Sequence, residues 1–209
     1  MFPFPFSFVA PTASGLADID NVYSMEFDGV DDYFDAGTSS ALEITGDVSI
    51  SAWVYITTGS AYQGIVSKRD SGGANYQLYT DNSATPKLRF YDGSTATSST
   101  GTVSLNAWHH IAITIDSGVT DGSIFYIDGV ASGTATFTIT SNDASLIIGA
   151  IDTGSFGSYF IGSMDEVALW NSALDSDQVG EIYNATSTGK TADLSAMATP
   201  PVAWYRMGD

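Results

Sequence analysis

The chain has 209 residues, 44% of them apolar and 12% aromatic, enough for one domain with a large core and too many for a wholly disordered chain. Only 14% are charged, and 24 Asp+Glu stand against 6 Lys+Arg; the net charge of -18 repels phosphate backbones and anionic lipid, and so argues against nucleic-acid binding. There is no cysteine, which removes disulfides, thiolate metal sites and cysteine nucleophiles.

The first segment, MFPFPFSFVAPTASG, is apolar but lacks a basic region and is interrupted by Pro3, Pro5 and Pro11. It does not read as a secretion signal, and it is too short to span a bilayer. Residues 1–21 are expected to form an arm. Extended, it sets Phe2, Phe4, Phe6 and Phe8 along one edge, a strap able to dock the chain onto a larger protein assembly. From residue 22 onward, period-2 runs of β-branched and aromatic residues recur: VYSMEF, DVSISAWVYI, YQGIVSK, NYQLYT, PKLRFY, WHHIAITID, SIFYID, TATFTIT and SLIIGA. In SISAWVYI, Ile50, Ala52, Val54 and Ile56 share one face, and Trp53 and Tyr55 the other. Asp-Gly pairs at 28–29, 92–93, 121–122 and 128–129 mark tight turns between runs.

A dozen or so short strands without βαβ alternation predict an all-β fold, an antiparallel two-sheet jelly-roll β-sandwich. One short C-terminal helix breaks the pattern. Asp175 is its expected N-cap, Gln178 stands at capping-box spacing, and Leu174, Val179, Ile182 and Tyr183 form an apolar stripe. Residues 22–184 are read as the sandwich domain, and 185–209 as a polar linker ending in the aromatic tail VAWYRM.

Two adjacent carboxylates, Asp165 and Glu166, raise the question of catalysis. A retaining glycosidase needs two carboxyl groups about 5–5.5 Å apart on one side of the sugar. Strict strand alternation sends these two to opposite faces, with Ser163 and Val167 beside Asp165 and Met164 and Ala168 beside Glu166. No Glu-x-Asp-x-x-Glu signature is present, and Glu26, Glu43, Glu166 and Glu181 are the only glutamates. The pair is therefore expected to be scaffold, with no catalytic residue assigned. The two histidines, His109 and His110, are adjacent on an expected strand and diverge, so a two-His metal face or a Ser-His-Asp triad would need distant partners; a scaffold strand with one ring both buried and hydrogen-bonded is expected. Asp28, Asp31, Asp32 and Asp35 crowd one turn and read as turn chemistry or as a calcium knot.

The phrases MEFDGVDDYFDAG, VSISAWVYI, IVSKRD, YQLY, AWHHIAITID, FYIDG, LIIGA and FIGSMDEVALWNSALDSDQVGEIYN follow one another over residues 22–184. In that order they resemble the laminin-G-like domains of the concanavalin A-like lectin/glucanase superfamily, relatives of the pentraxins. ADLSAMATPPVAWYRMGD is further similar to a phrase of such domains in marine phage and bacterial surface proteins. The resemblance implies a jelly roll used for recognition and adhesion, with a glycan or cell-surface ligand and in some members calcium. By similarity to the pentraxin rim, Asn75 matches an amide ligand and Asp152 a carboxylate ligand, with Asp70 nearby but unaligned; the second pentraxin acid has no counterpart. The expected function is non-enzymatic recognition on a surface assembly such as a virion decoration or appendage, without membrane insertion. A secreted carbohydrate-binding or adhesion module is the alternative, and a glycoside hydrolase a more distant one.

Overall fold

The computed structural model describes residues 15–70, 73–140, 142–184 and 190–208, so residues 1–14 of the expected docking arm lie outside the description. In chain order the first strands are β1 (Asp18–Asp20), β2 (Met25–Asp28), β3 (Phe34–Asp35), β4 (Val48–Ile56), β5 (Gln63–Asp70), β6 (Gly73–Thr80), β7 (Leu88–Tyr91) and β8 (Ala96–Ser98). Next come β9 (Trp108–Ile115), β10 (Ser123–Ile127), β11 (Val130–Ala135), β12 (Leu146–Ile148), β13 (Ile151–Asp152), β14 (Phe156–Gly157) and β15 (Ile161–Trp170). The helix α1 (Ser176–Tyr183), β16 (Lys190–Ala192) and β17 (Ala203–Tyr205) complete the order.

Two antiparallel sheets form the expected sandwich. One runs β11-β10-β9-β4-β15-β17, with β2 also paired to β15; the other runs β3-β12-β5-β6-β7-β8. Ile50, Ala52, Val54 and Ile56 face inward and are fully buried, as their period-2 spacing requires. They meet Tyr76, Leu78, Leu88 and Phe90 of the second sheet in one continuous core. Each such side chain contributes about 1.5–3 kcal/mol relative to exposure. The Asp128-Gly129 turn has φ of 51° and 73°, the two positive angles of a two-residue hairpin turn, and joins β10 to β11.

The outer face of the first sheet carries a second apolar layer. Trp170, Ala168, Ala112 and Tyr126 of the sheet meet Leu174, Val179 and Ile182 of the helix segment, together with Ala192, Leu194 and Met197. The capping box forms as expected: Asp175 Oδ1 accepts from Asp177 N and Gln178 N, and Gln178 Oε1 accepts from Asp175 N. This layer draws in residues beyond 22–184. β1 pairs with β16, and β17 adds to the edge of β15, so parts of both the expected arm and the expected tail are built into the fold.

One expected strand is missing. In TATFTIT the ladder stops at Ala135, although Phe137 and Ile139 are buried in the core. Their backbone is satisfied elsewhere: Gly118 N donates to Phe137 O, Thr138 N to Asp92 Oδ2 and Ile139 N to Ser117 Oγ. Among the described residues, no helix is long and apolar enough to cross a membrane.

Candidate functional site

The two adjacent carboxylates sit on a β-bulge. The β15–β4 register shifts between Asp165 and Ala168, and Glu166 holds a φ of 51°, a left-handed conformation rare for a residue with a side chain. The inserted residue cancels the alternation on which the opposite-face expectation rested. Asp165 lies opposite Trp53 on the outer face, and Glu166 reaches Thr191 of β16, in the layer covering that same face. Asp165 Oδ1 accepts from Glu166 N at 2.7 Å and so braces the bulge.

Glu166 is 3% exposed and joins four segments. Its Oε1 accepts from Thr191 Oγ1 at 2.9 Å, Arg206 Nε at 3.3 Å and Asn21 Nδ2 at 3.4 Å, and its Oε2 accepts from Trp204 Nε1. Both oxygens are thus occupied by the chain's own donors, which is the arrangement of a structural junction.

Beside this junction opens a pocket of about 320 Å³. It is lined by Trp53 of β4, Trp108 of β9, the nearly buried Asp165 of β15, Asn21 and Tyr23 after β1, and Lys190 and Thr191 of β16. Trp53 packs in a three-ring cluster, with His110 at 5.5 Å and Tyr183 at 6.0 Å between centroids and those two 6.0 Å from each other. Trp108 is 42% exposed and Tyr23 67%, so aromatic surface faces solvent next to amide, hydroxyl and carboxylate groups. Lys190 pairs with the exposed Asp20, and that hydrogen bond holds the Asp20 carboxyl below its ordinary range. The sequence offered one signal for this pocket, the tryptophan on the non-core face of SISAWVYI. The residues of the segment after β1 and of β16 that complete it carry no comparable mark.

The histidines diverge as expected, but the hydrogen-bonded ring is His109. Its Nε2 meets Ser104 Oγ at 2.6 Å and its Nδ1 meets Asp128 Oδ2 at 2.7 Å. These residues stand in the order of nucleophile, base and orienting acid. Ser104, however, is an exposed loop residue outside the pocket lining, and Asp128 also accepts from His110 N at 3.0 Å. The chain of contacts ties that loop to the β10–β11 hairpin. His110 is the buried ring, and burial pushes its pKa down to about 4.

The expected rim ligands are not brought together. Asn75 stands at the β6 bulge beside Lys68 and Arg69, is fully buried, and donates from Nδ2 to Ile44 O. Asp152 follows β12 beyond Gly64, where Ala150 and Ile151 pack, and its Oδ1 accepts from Gly154 N. About six residues of β5 separate the two, roughly 20 Å at about 3.3 Å per residue. The side chain of Asp70 lies outside the description. Asp28, Asp31 and Asp32 do converge, with one oxygen of each within 4.8 Å of the others, all exposed. Asp28 Oδ1 accepts from Val30 N and Asp32 Oδ2 from Asp28 N, which is turn chemistry.

Solved structures share this architecture. The native heptameric SAP-like pentraxin from Limulus polyphemus is 17% identical, with a TM-score of 0.63 over 79% of this chain and 83% of that one. The CBM40 of Ruminococcus gnavus IT-sialidase, bound to α2,3-sialyllactose, is 15% identical, with a TM-score of 0.61 over 79% and 96%. Domain 4 of AbnA, a GH43 extracellular arabinanase from Geobacillus stearothermophilus, in complex with arabinotriose, is 21% identical, with a TM-score of 0.53 over 78% and 79%. No curated protein matches the chain in sequence. At these identities the likeness is one of fold. The laminin-G-like model of the concanavalin A-like lectin/glucanases superfamily matches residues 28–180, and the chain belongs to that family.

Proposed function

We propose that the chain is a non-catalytic glycan-recognition domain and that the pocket between Trp53, Trp108 and Asp165 is its sugar site. The observation that carries this reading is the pairing of exposed indole surface with polar groups in one open cleft. A pyranose presents an apolar C–H face that lies against an aromatic ring and hydroxyls that need fixed acceptors and donors, here Asp165, Asn21 and Thr191. The carboxylate favours a neutral sugar. Fold neighbours solved with sialyllactose and arabinotriose support a glycan ligand in general. Glu166, already saturated by Arg206, Trp204, Thr191 and Asn21, is not free to act on a substrate.

A glycan array probed with the full chain, with calcium and with EDTA, is expected to include neutral glycans among those bound. Trp108→Ala should weaken binding of the best neutral glycan at least tenfold, about 1.4 kcal/mol, while leaving melting unchanged. Full affinity in that variant, or release of reducing sugar from the bound glycan, would overturn the reading.

The setting proposed for this domain is an extracellular or virion surface, with the Phe-Pro strap as the docking element. Its support is the four phenylalanines of MFPFPFSF, beside a described fold that contains both apolar layers without them. Deleting residues 1–10 should shift the melting temperature by less than about 2 °C, against the roughly 2–4 °C per kcal/mol expected at this size, and should abolish incorporation into particles that carry the chain. A large melting shift, or normal incorporation, would rule the strap out.

A further inference from the structure

The outward face of the second sheet, away from the pocket, gathers charge of the rarer sign. Only six residues of the chain are Lys or Arg, and two of them, Arg69 of β5 and Arg89 of β7, flank β6 on this face. Alternation places them there: Tyr76, Leu78, Leu88 and Phe90 point into the core, so Gln77, Tyr79, Arg89 and Tyr91 point out. Arg69 lies over the Tyr91 ring at 5.1 Å and donates from Nη1 to Gln77 Oε1 at 3.2 Å. Arg89 stands directly opposite Tyr79 in the β6–β7 ladder and hydrogen-bonds its hydroxyl.

Neither guanidinium pairs with a carboxylate of the described residues, in a chain where acids outnumber bases four to one. In addition, Arg69 Nε, Arg89 Nε and Ser67 Oγ are buried without a hydrogen-bond partner. Ser67 faces Gln77 across the β5–β6 ladder, so these groups share one patch. Buried donors left unmatched carry a desolvation cost, and two half-buried guanidinium groups on one face repel each other. An acidic side chain would relieve both costs, and this chain has acids in abundance. The patch is organised for an anion that the described residues do not supply.

The geometry points to a second binding site on this face, for a sugar bearing an oxyanion, a carboxylate or a sulfate ester, gripped by Arg69 and Arg89 with Tyr91 beside it. Guanidinium offers two parallel N–H donors matched to such oxyanions. The ligand class is therefore the opposite of that drawn to the carboxylate-lined pocket, and the two sites fail or stand independently.

Titration of the full chain with α2,3-sialyllactose, lactose 3′-sulfate and lactose tests this. At least one of the acidic sugars should bind ten or more times as tightly as lactose, and whichever does assigns the carboxylate or the sulfate. Arg69→Gln and Arg89→Gln should each weaken that binding at least tenfold. Arg89→Lys, which keeps the charge and loses the fork, should lose several-fold without changing the melting temperature. Trp108→Ala should leave acidic-sugar binding intact, which separates this site from the pocket. Equal affinity for lactose in the Trp108→Ala background, no binding of either acidic sugar, or full affinity in Arg89→Gln overturns the proposal.

Discussion

Glu166→Ala is expected to cost about 3–5 kcal/mol, the range for removing one partner of a buried charge pair. The substitution strips the acceptor from Thr191, Trp204 and Asn21 and leaves Arg206 facing a void. Hydrogen bonds to a charged group are worth about 1.5–3 kcal/mol each. Arg206 is partly solvated, so its share is discounted; Thr191 is buried and its share is not. Glu166→Gln keeps the shape but turns an amide N–H₂ toward groups that are themselves donors, so most of the loss should persist. Glu166→Gly removes the same bonds while relieving the left-handed backbone. Its smaller loss would measure the strain stored at the bulge. The damage should be local first, because Glu166 supplies polar ties from β15 to Thr191 of β16, Trp204 of β17 and Asn21 after β1, beside the β15–β17 ladder and the outer apolar layer. Denaturant unfolding gives the total, and hydrogen exchange at Ala203–Tyr205 should rise ahead of the core strands. A loss below about 1 kcal/mol would show that the terminal strands are held by the apolar layer and the backbone ladders without help from Glu166.

The sandwich and its helix were legible because each rests on a local rule. Period-2 spacing in SISAWVYI selects the buried face of β4 without reference to any other strand. Asp175 and Gln178 specify the start of α1 by hydrogen bonds three residues apart. What escaped depends on non-local pairing. Counting faces through Asp165 and Glu166 fails at one inserted residue, and nothing in the letters DEVAL announces the bulge. The three-residue strands β1, β16 and β17 are too short to show a period, and they exist because Ala192, Trp204 and Leu16 cover the outer apolar layer. Transfer of the pentraxin loops onto Asn75 and Asp152 treated both as one rim, whereas the β5 register sends them to opposite ends. Arg69 and Arg89 stand twenty residues apart in sequence and meet only because β6 lies between their strands.

The second large effect concerns pH and lies beneath the pocket wall. His110 is fully buried, its two ring nitrogens have no hydrogen-bond partner among the described residues, and its neighbours are the Trp53 and Tyr183 rings. Burial pushes its pKa from the ordinary 6.5 to about 4, against a smaller opposing pull from Asp128. The native state therefore keeps a neutral ring where the unfolded chain binds a proton. Stability is unaffected above about pH 6.5 and falls as pH drops from 6.5 toward 4, because the unfolded state takes up the proton first. At about 1.4 kcal/mol per unit, the total loss approaches 3 kcal/mol. Other groups titrate in the same window, since carboxylates begin to discharge a surface of net charge -18. The clean reading is accordingly a difference between two chains. His110→Leu, of similar size and without a proton to bind, should match or exceed wild-type stability at pH 7.5 and gain on it by about 2–3 kcal/mol on going to pH 4.5. Because His110 supports Trp53 and the native ring takes up its proton only near pH 4, glycan binding at the pocket should weaken as pH falls through about 4 in the wild type and hold in the variant. A stability gap that stays constant between pH 7.5 and 4.5 would show that the ring is protonated without cost, and that the pocket wall does not answer to it.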